Sequence, residues 1–146
     1  MKYKGRYKVK NPQKYKGNPM NCIFRSLWER RFMKYCDHNQ NVLHWSSEEI
    51  RVPYTSPFDG RIHMYFVDFW MKVRRKNGEI TTYMVEIKPE KQTSPPKLEE
   101  GKMTLQKAKQ IKTYVINREK WKAASAYCKE RGWQFLVLTE RNLFGK

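Results

Sequence analysis

The sequence predicts a mixed α/β domain whose sheet is mainly antiparallel, built from hairpins and flanked by helices. Three observations carry that expectation. A helix pattern opens at Ser26, the middle third is dense in β-branched and aromatic residues between turn signals, and two helical stretches precede a short apolar run near the end. The order is therefore one helix, several strands, two helices and a last strand. With 146 residues, 39% of them hydrophobic, the chain can bury roughly two-thirds of its unfolded surface, enough for one core. We divide it into a basic arm, residues 1–20, and a single domain, residues 21–146.

The arm holds Lys2, Lys4, Arg6, Lys8, Lys10, Lys14 and Lys16 with no acid, interleaved with Tyr3, Tyr7 and Tyr15 and punctuated by Pro12, Gly17 and Pro19. It reads as an extended segment whose cations meet phosphates and whose tyrosines are free to stack. The first helix runs from Ser26 to about Asn39. Trp28, Phe32, Tyr35 and Cys36 recur at three- and four-residue steps, and Ser26 with Glu29 forms a capping box. Ile50 to Tyr54 alternates as a strand and ends at the turn Pro57-Phe58-Asp59-Gly60. Strand character resumes from Arg61 to Arg74, turns at Lys76-Asn77-Gly78, and returns from Glu79 to Lys88. Pro89 stops that strand, and Gln92 to Gly101 is a polar loop. Helices are expected over about 102–116 and 118–131, with Gly132 past the end of the second, and Trp133 to Leu138 is a buried strand.

Charge points to a polyanion. Thirty-one Lys and Arg stand against 14 Asp and Glu, a formal net charge of +17. So much like charge in a small body favours nucleic acid as the partner. No apolar run approaches the roughly 20 residues of a membrane span, and the N-terminus has no apolar signal segment, so neither a membrane nor secretion is expected. Cys22, Cys36 and Cys128 are odd in number and far apart, and no histidine stands at a zinc-like spacing from them. They read as reduced, partly buried thiols.

The chemistry is expected on the second hairpin. Asp68 lies within Tyr65-Phe66-Val67-Asp68-Phe69-Trp70, and Glu86 and Lys88 lie within Met84-Val85-Glu86-Ile87-Lys88-Pro89, both otherwise apolar. Buried carboxylates need a metal or an ion pair. Register decides whether these three meet. A two-residue Asn77-Gly78 turn sets Asp68 opposite Ile87 and puts it on the other face from Glu86. A three-residue Lys76-Asn77-Gly78 loop, with Gly78 left-handed, pairs Arg75 with Glu79 and sets Asp68 opposite Glu86, so that Lys88 shares their face. The second register is expected. Two convergent carboxylates suit a hard divalent ion, Mg²⁺ with Mn²⁺ as an alternative, and Lys88 stands where it can assist attack on phosphate. Glu29 is a candidate third carboxylate. Its bland alternative is a capping role alone, as an ion pair is for Asp68 with Lys88. His63 is left out of the site, and Glu48 and Glu49 are left open.

The Asp68…Glu86-Ile87-Lys88 pattern resembles the PD-(D/E)XK nuclease superfamily. That resemblance implies a restriction-endonuclease-like α-β-β-β-α-β core, metal bound by Asp68 and Glu86 with help from Glu29, and products with 5′-phosphate and 3′-hydroxyl ends. Val67 stands where that family often has proline. Gln110-Ile111-Lys112-Thr113-Tyr114 resembles the QxxxY element of RecB-like nucleases, which implies DNA contact by Gln110 and Tyr114; the alternative is that Tyr114 packs in the core and Gln110 is merely exposed. Over almost the whole chain, Phe24-Arg25-Ser26-Leu27-Trp28-Glu29, Val42-Leu43-His44-Trp45-Ser46-Ser47-Glu48-Glu49-Ile50, Tyr65-Phe66-Val67-Asp68-Phe69, Glu86-Ile87-Lys88-Pro89 and Tyr114 to Ala124 are similar to the head completion nucleases of T-even-like tailed phages. This implies an Mg²⁺-dependent endonuclease acting on DNA in the host cytoplasm during infection, with phage head or portal proteins as partners. Virion incorporation and a homodimer stay open. The rival expectations are a non-enzymatic DNA-binding assembly protein on the same fold and a plain nucleic-acid-binding module.

Overall fold

The computed structural model describes residues 4–97, 101 and 103–144. Lys2 and Tyr3 of the expected arm, residues 98–100 of the expected loop and residue 102 lie outside the described residues. The chain runs β1 (Gly5–Arg6), β2 (Ile23–Phe24), α1 (Leu27–His38), β3 (Val42–Ser47), β4 (Arg51–Thr55), β5 (Ile62–Phe66), β6 (Phe69–Arg74), β7 (Ile80–Ile87), α2 (Leu105–Arg131), β8 (Gln134–Leu138) and α3 (Glu140–Phe144). The central sheet has the order β3-β6-β7-β8. Its first two pairings are antiparallel, and β7 lies parallel to β8, joined through α2. Such a parallel pair needs a long crossover, and α2 provides it.

Alternation along the strands divides the core in two. Phe69, Met71, Val85 and Ile87 point to the α1 side, where they meet Phe32, Met33 and Cys36. Trp70 and Met84 point the other way, with Ala124 and Cys128 of α2, and with Tyr65 and Val67. Glu86 follows Met84 in parity and so faces the α2 side. Ser26 Oγ accepts the Glu29 N–H at 3.1 Å, and α1 stops at Asn39. All three cysteines are buried and unpaired with one another.

The hairpin register is the one that unites the three ionisable groups. Phe69 pairs with Val85, Trp70 with Met84, and Arg74 with Ile80. Arg75 N donates to Glu79 O at 2.7 Å, Gly78 N donates to Arg75 O at 2.9 Å, and Gly78 has φ +88°. Only glycine takes that left-handed conformation without strain.

Three expectations require correction. Residues 61–74 do not form one strand. β5 pairs only with β4, β6 pairs with β3 and β7, and Val67-Asp68 is the crossing between the two sheets. Asp68 therefore sits in the break, where Val67 N donates to Ile50 O and Glu48 N donates to Asp68 O. The two helices expected over 102–116 and 118–131 are one helix of 27 residues, about 40 Å long. No proline or glycine interrupts it, and Asn117, at the expected break, is buried within it.

The third correction concerns the N-terminal segment, which is not a free arm. Tyr7 and Tyr15 are buried against Trp45 with edge-on rings, and both belong to the α1-side core. Asp37, fully buried, accepts from the Tyr7 hydroxyl at 2.7 Å and from the N–H groups of Lys10 and Asn11 at 2.7 and 3.0 Å. Lys14 Nζ donates to the carbonyls of Cys36, Asp37 and Asn39, which α1 leaves unpaired at its C-terminus. Tyr7 and Tyr15 are therefore unavailable to stack on bases.

Candidate active site

The register brings Asp68 and Glu86 together at the C-terminal end of β7. Asp68 Oδ2 accepts the Ile87 N–H at 2.8 Å, which fixes its carboxylate against the strand end. Glu86 is buried. Its Oε1 accepts the Tyr65 hydroxyl at 2.5 Å, and its Oε2 lies 3.6 Å from Lys88 Nζ. Asp68 Oδ1 has no hydrogen bond among the described residues. Burial, then the neighbouring Glu86 carboxylate, pushes the Asp68 carboxyl well above its usual range; Glu29 adds to this, while the Ile87 N–H and Lys88 work against it. Tyr65 is likewise raised, by burial first and then by Glu86.

Glu29 reaches the edge of this group from the first turn of α1. Its Oε1 accepts the Arg25 N–H at 3.1 Å, and burial raises its carboxyl, with Glu48 and Glu86 adding to the effect. Glu48, left open by the sequence, pairs with Arg25 at 3.1 Å from a left-handed backbone position, φ +54°. Among the described residues no three His, Cys, Asp or Glu side chains stand close enough together to cage a metal. Glu29 lies within electrostatic reach of Asp68 and Glu86 and shares no hydrogen bond with either among the described residues. What is assembled is a pair, Asp68 and Glu86. The pair fits Mg²⁺, which is commonly held by one or two carboxylates while water and substrate phosphate fill the rest of its octahedron. Two like charges this close, one with a free oxygen, are a donor set that a hard cation relieves.

Beyond Lys88 the chain opens into a cleft of about 1360 Å³ bordered by Trp28, Pro89, Glu90, Gln110, Tyr114 and Asn117. Gln110 is exposed on its rim, and Tyr114 is half-buried with its hydroxyl accepting from Arg118 at 3.0 Å. Lys4, Arg6, Lys8 and Lys10 are all exposed, while Tyr7 between them turns inward. Their strip runs along α1, from the β1–β2 pairing to Asp37. His63 is exposed and paired with Asp59 at 2.8 Å, away from the acids.

Two residues near the acids escaped the sequence reading. Tyr65 holds Glu86, and Lys120 of α2 lies in the field of Glu86, Lys88 and Asp68. A tyrosine in an apolar strand and a lysine in a helix rich in lysines carry no signal of their own. Only the strand crossing at Val67-Asp68 and the unbroken α2 bring them there.

With the β4–β5 hairpin set aside as an insertion, the core follows the order α1, β3, β6, β7, α2, β8. That is the α-β-β-β-α-β plan of restriction-endonuclease-like nucleases, and it is the class this fold defines. Comparison with known proteins takes the assignment further. The family described as TnsA-like endonuclease N terminal matches residues 39–140, from the end of α1 to the start of α3. The chain belongs to that endonuclease family. It is also 37% identical over 146 residues to the head completion nuclease of Enterobacteria phage T4, a match that covers 98% of this chain and 95% of the relative. No solved structure matches it.

Proposed function

We propose that this protein is a metal-dependent DNA endonuclease acting in phage head completion, with Asp68, Glu86 and Lys88 at its centre. One observation carries the reading: the Gly78 loop sets the hairpin register that unites Asp68, Glu86 and Lys88 at one strand end, in a chain of an endonuclease family. The name of the phage relative supports the place in head completion.

In this reading Asp68 and Glu86 hold Mg²⁺ or Mn²⁺. A divalent ion so held supplies Lewis acidity and a more acidic bound water. Lys88, beside Glu86, orients the attacking water and stabilises charge on the scissile phosphate. Tyr65 fixes the Glu86 carboxylate so that its second oxygen stays directed to Lys88. Glu29, which adds negative charge beside the pair, supplies a third carboxylate to the ion or to one of its waters. Gln110 and Tyr114 on the cleft, with Lys4, Arg6, Lys8 and Lys10, contact the phosphate backbone.

The test is cleavage of supercoiled plasmid with Mg²⁺, with Mn²⁺ and with chelator, beside folded Asp68→Ala and Lys88→Ala proteins. Nicking that needs metal and vanishes in both variants is the expected result. Tight, salt-sensitive binding without cleavage of plasmid, branched or single-stranded DNA would replace the reading with a purely structural assembly role.

A further inference from the structure

Lys120 is the cation near the acid pair that the proposed chemistry leaves unused. It sits on α2 against the β4–β5 hairpin, half-buried. Its Nζ lies 5.5 Å from the centre of the Tyr65 ring and 5.8 Å from that of Tyr54, one tyrosine from each strand of the β4–β5 hairpin. Among the described residues it forms no ion pair within 4.0 Å, whereas Lys88 is paired with Glu86.

Burial pulls its ammonium below the ordinary lysine range, while Glu86 and Asp68 pull the other way. Two aromatic faces hold a cation in position, more firmly when it is desolvated, yet they do not replace an acidic partner at ion-pair distance. A lysine that served only to neutralise Glu86 would close on its carboxylate. Here the Tyr65 hydroxyl fills that place at 2.5 Å. A partly desolvated ammonium, fixed by aromatic rings and with no carboxylate within 4.0 Å among the described residues, is a seat for an anion.

We propose that Lys120, clamped between Tyr54 and Tyr65, forms a second phosphodiester-binding position beside the Asp68–Glu86–Lys88 centre and takes a phosphate of the strand being cut. The proposal rests on the endonuclease reading above. It gives the β4–β5 hairpin a role, since the hairpin supplies both rings of the clamp and, through Tyr65, couples the clamp to Glu86. Phosphate seated there sets how far the strand extends past the scissile bond, so Lys120 positions substrate as well as binding it.

The test is equilibrium binding of a short labelled duplex in chelator, over about 50 to 200 mM salt, so that no cleavage enters the readout. Wild type is compared with Lys120→Met, Lys120→Arg and Tyr54→Leu, each checked for folding by circular dichroism. Removing one cation–phosphate pair lowers the slope of log K against log salt by about 0.9. Lys120→Met is expected to show that decrease with weaker binding, Lys120→Arg to keep the slope, and Tyr54→Leu to weaken binding with the slope partly reduced. If Lys120→Met does not fold, the Lys120→Arg and Tyr54→Leu pair decides: an unchanged slope and affinity in Tyr54→Leu overturns the clamp. Wild-type binding with an unaltered slope in folded Lys120→Met overturns the proposal and leaves the endonuclease reading intact. Absence of DNA binding by wild type in chelator overturns the proposal, while the endonuclease reading is decided separately by the plasmid assay with metal.

Discussion

Replacing Asp37 with alanine tests the attachment of the N-terminal segment, the largest departure of the structure from a free arm. The carboxylate receives the Tyr7 hydroxyl and the N–H groups of Lys10 and Asn11, all within 3.0 Å. The Tyr7 hydroxyl is buried, so losing its ionised partner costs about 1.5–3 kcal/mol. The two backbone groups lie nearer the surface and rehydrate in part, at about 0.5–1.5 kcal/mol each. The loss of stability is then about 2.5–6 kcal/mol, bracketing the roughly 3–5 kcal/mol typical of removing one partner of a buried charged pair. For a chain of this length that lowers Tm by roughly 5–24 °C.

The assay is thermal and urea unfolding of wild type, Asp37→Ala, Tyr7→Phe and the double variant. Tyr7→Phe should cost much less in the Asp37→Ala background than alone, because the bond is already gone. The pH dependence has a definite sign. Burial tends to raise the Asp37 carboxyl, but the Lys10 N–H, the Tyr7 hydroxyl and the Asn11 N–H together hold it below its usual value. Its contribution is therefore present above the unfolded aspartate range and is lost as pH falls through the lower folded value. The gap between wild type and Asp37→Ala should narrow in acid. A loss under about 1 kcal/mol at neutral pH, or additive single and double variants, would refute the network.

Other outcomes follow from the same structure. Asp68→Asn keeps an acceptor for the Ile87 N–H while removing a charge whose carboxyl is raised by burial and Glu86. A raised carboxyl penalises the fold as pH rises past its unfolded value, in full once past its folded value, so in chelator at neutral pH the variant should melt at or above wild type, by roughly 2–4 °C for each kcal/mol recovered, and the difference should shrink in acid. Gly78→Ala places a Cβ in open space but at φ +88°, so it should cost about 1–2 kcal/mol from backbone strain alone, read as a lower urea midpoint at unchanged slope. Arg6 pairs beside the start of α1, whereas Lys10 lies at the far end by Asp37. Replacing Lys4 and Arg6 with alanine should therefore weaken DNA binding more than replacing Lys8 and Lys10, measured at one fixed salt concentration.

The site was legible where one local rule decided it. Only one loop length at Lys76-Asn77-Gly78 puts Asp68, Glu86 and Lys88 on a common face, and that loop is the one formed. Ser26 and Glu29 announced α1, and Gly132 announced the end of α2, where it adopts φ +72°. What stayed hidden depended on partners far away in the chain. Tyr7 and Lys10 read as solvated because Asp37, which orders them, is about thirty residues on. β3 escaped notice as a strand because His44, Ser46 and Ser47 break its apolar alternation; its burial comes from the N-terminal segment and from β6. The crossing at Val67-Asp68 looked like uninterrupted strand because apolar residues flank it on both sides and serve two different sheets.

The most direct measurement is the single-turnover cleavage rate of folded Asp68→Asn protein under conditions where it binds DNA as tightly as wild type. If Asp68 and Glu86 are the centre of the chemistry, the rate should fall by about a thousandfold or more, at least ~4 kcal/mol of barrier, with binding intact. A variant that cuts within tenfold of wild type would place the chemistry elsewhere and contradict the account.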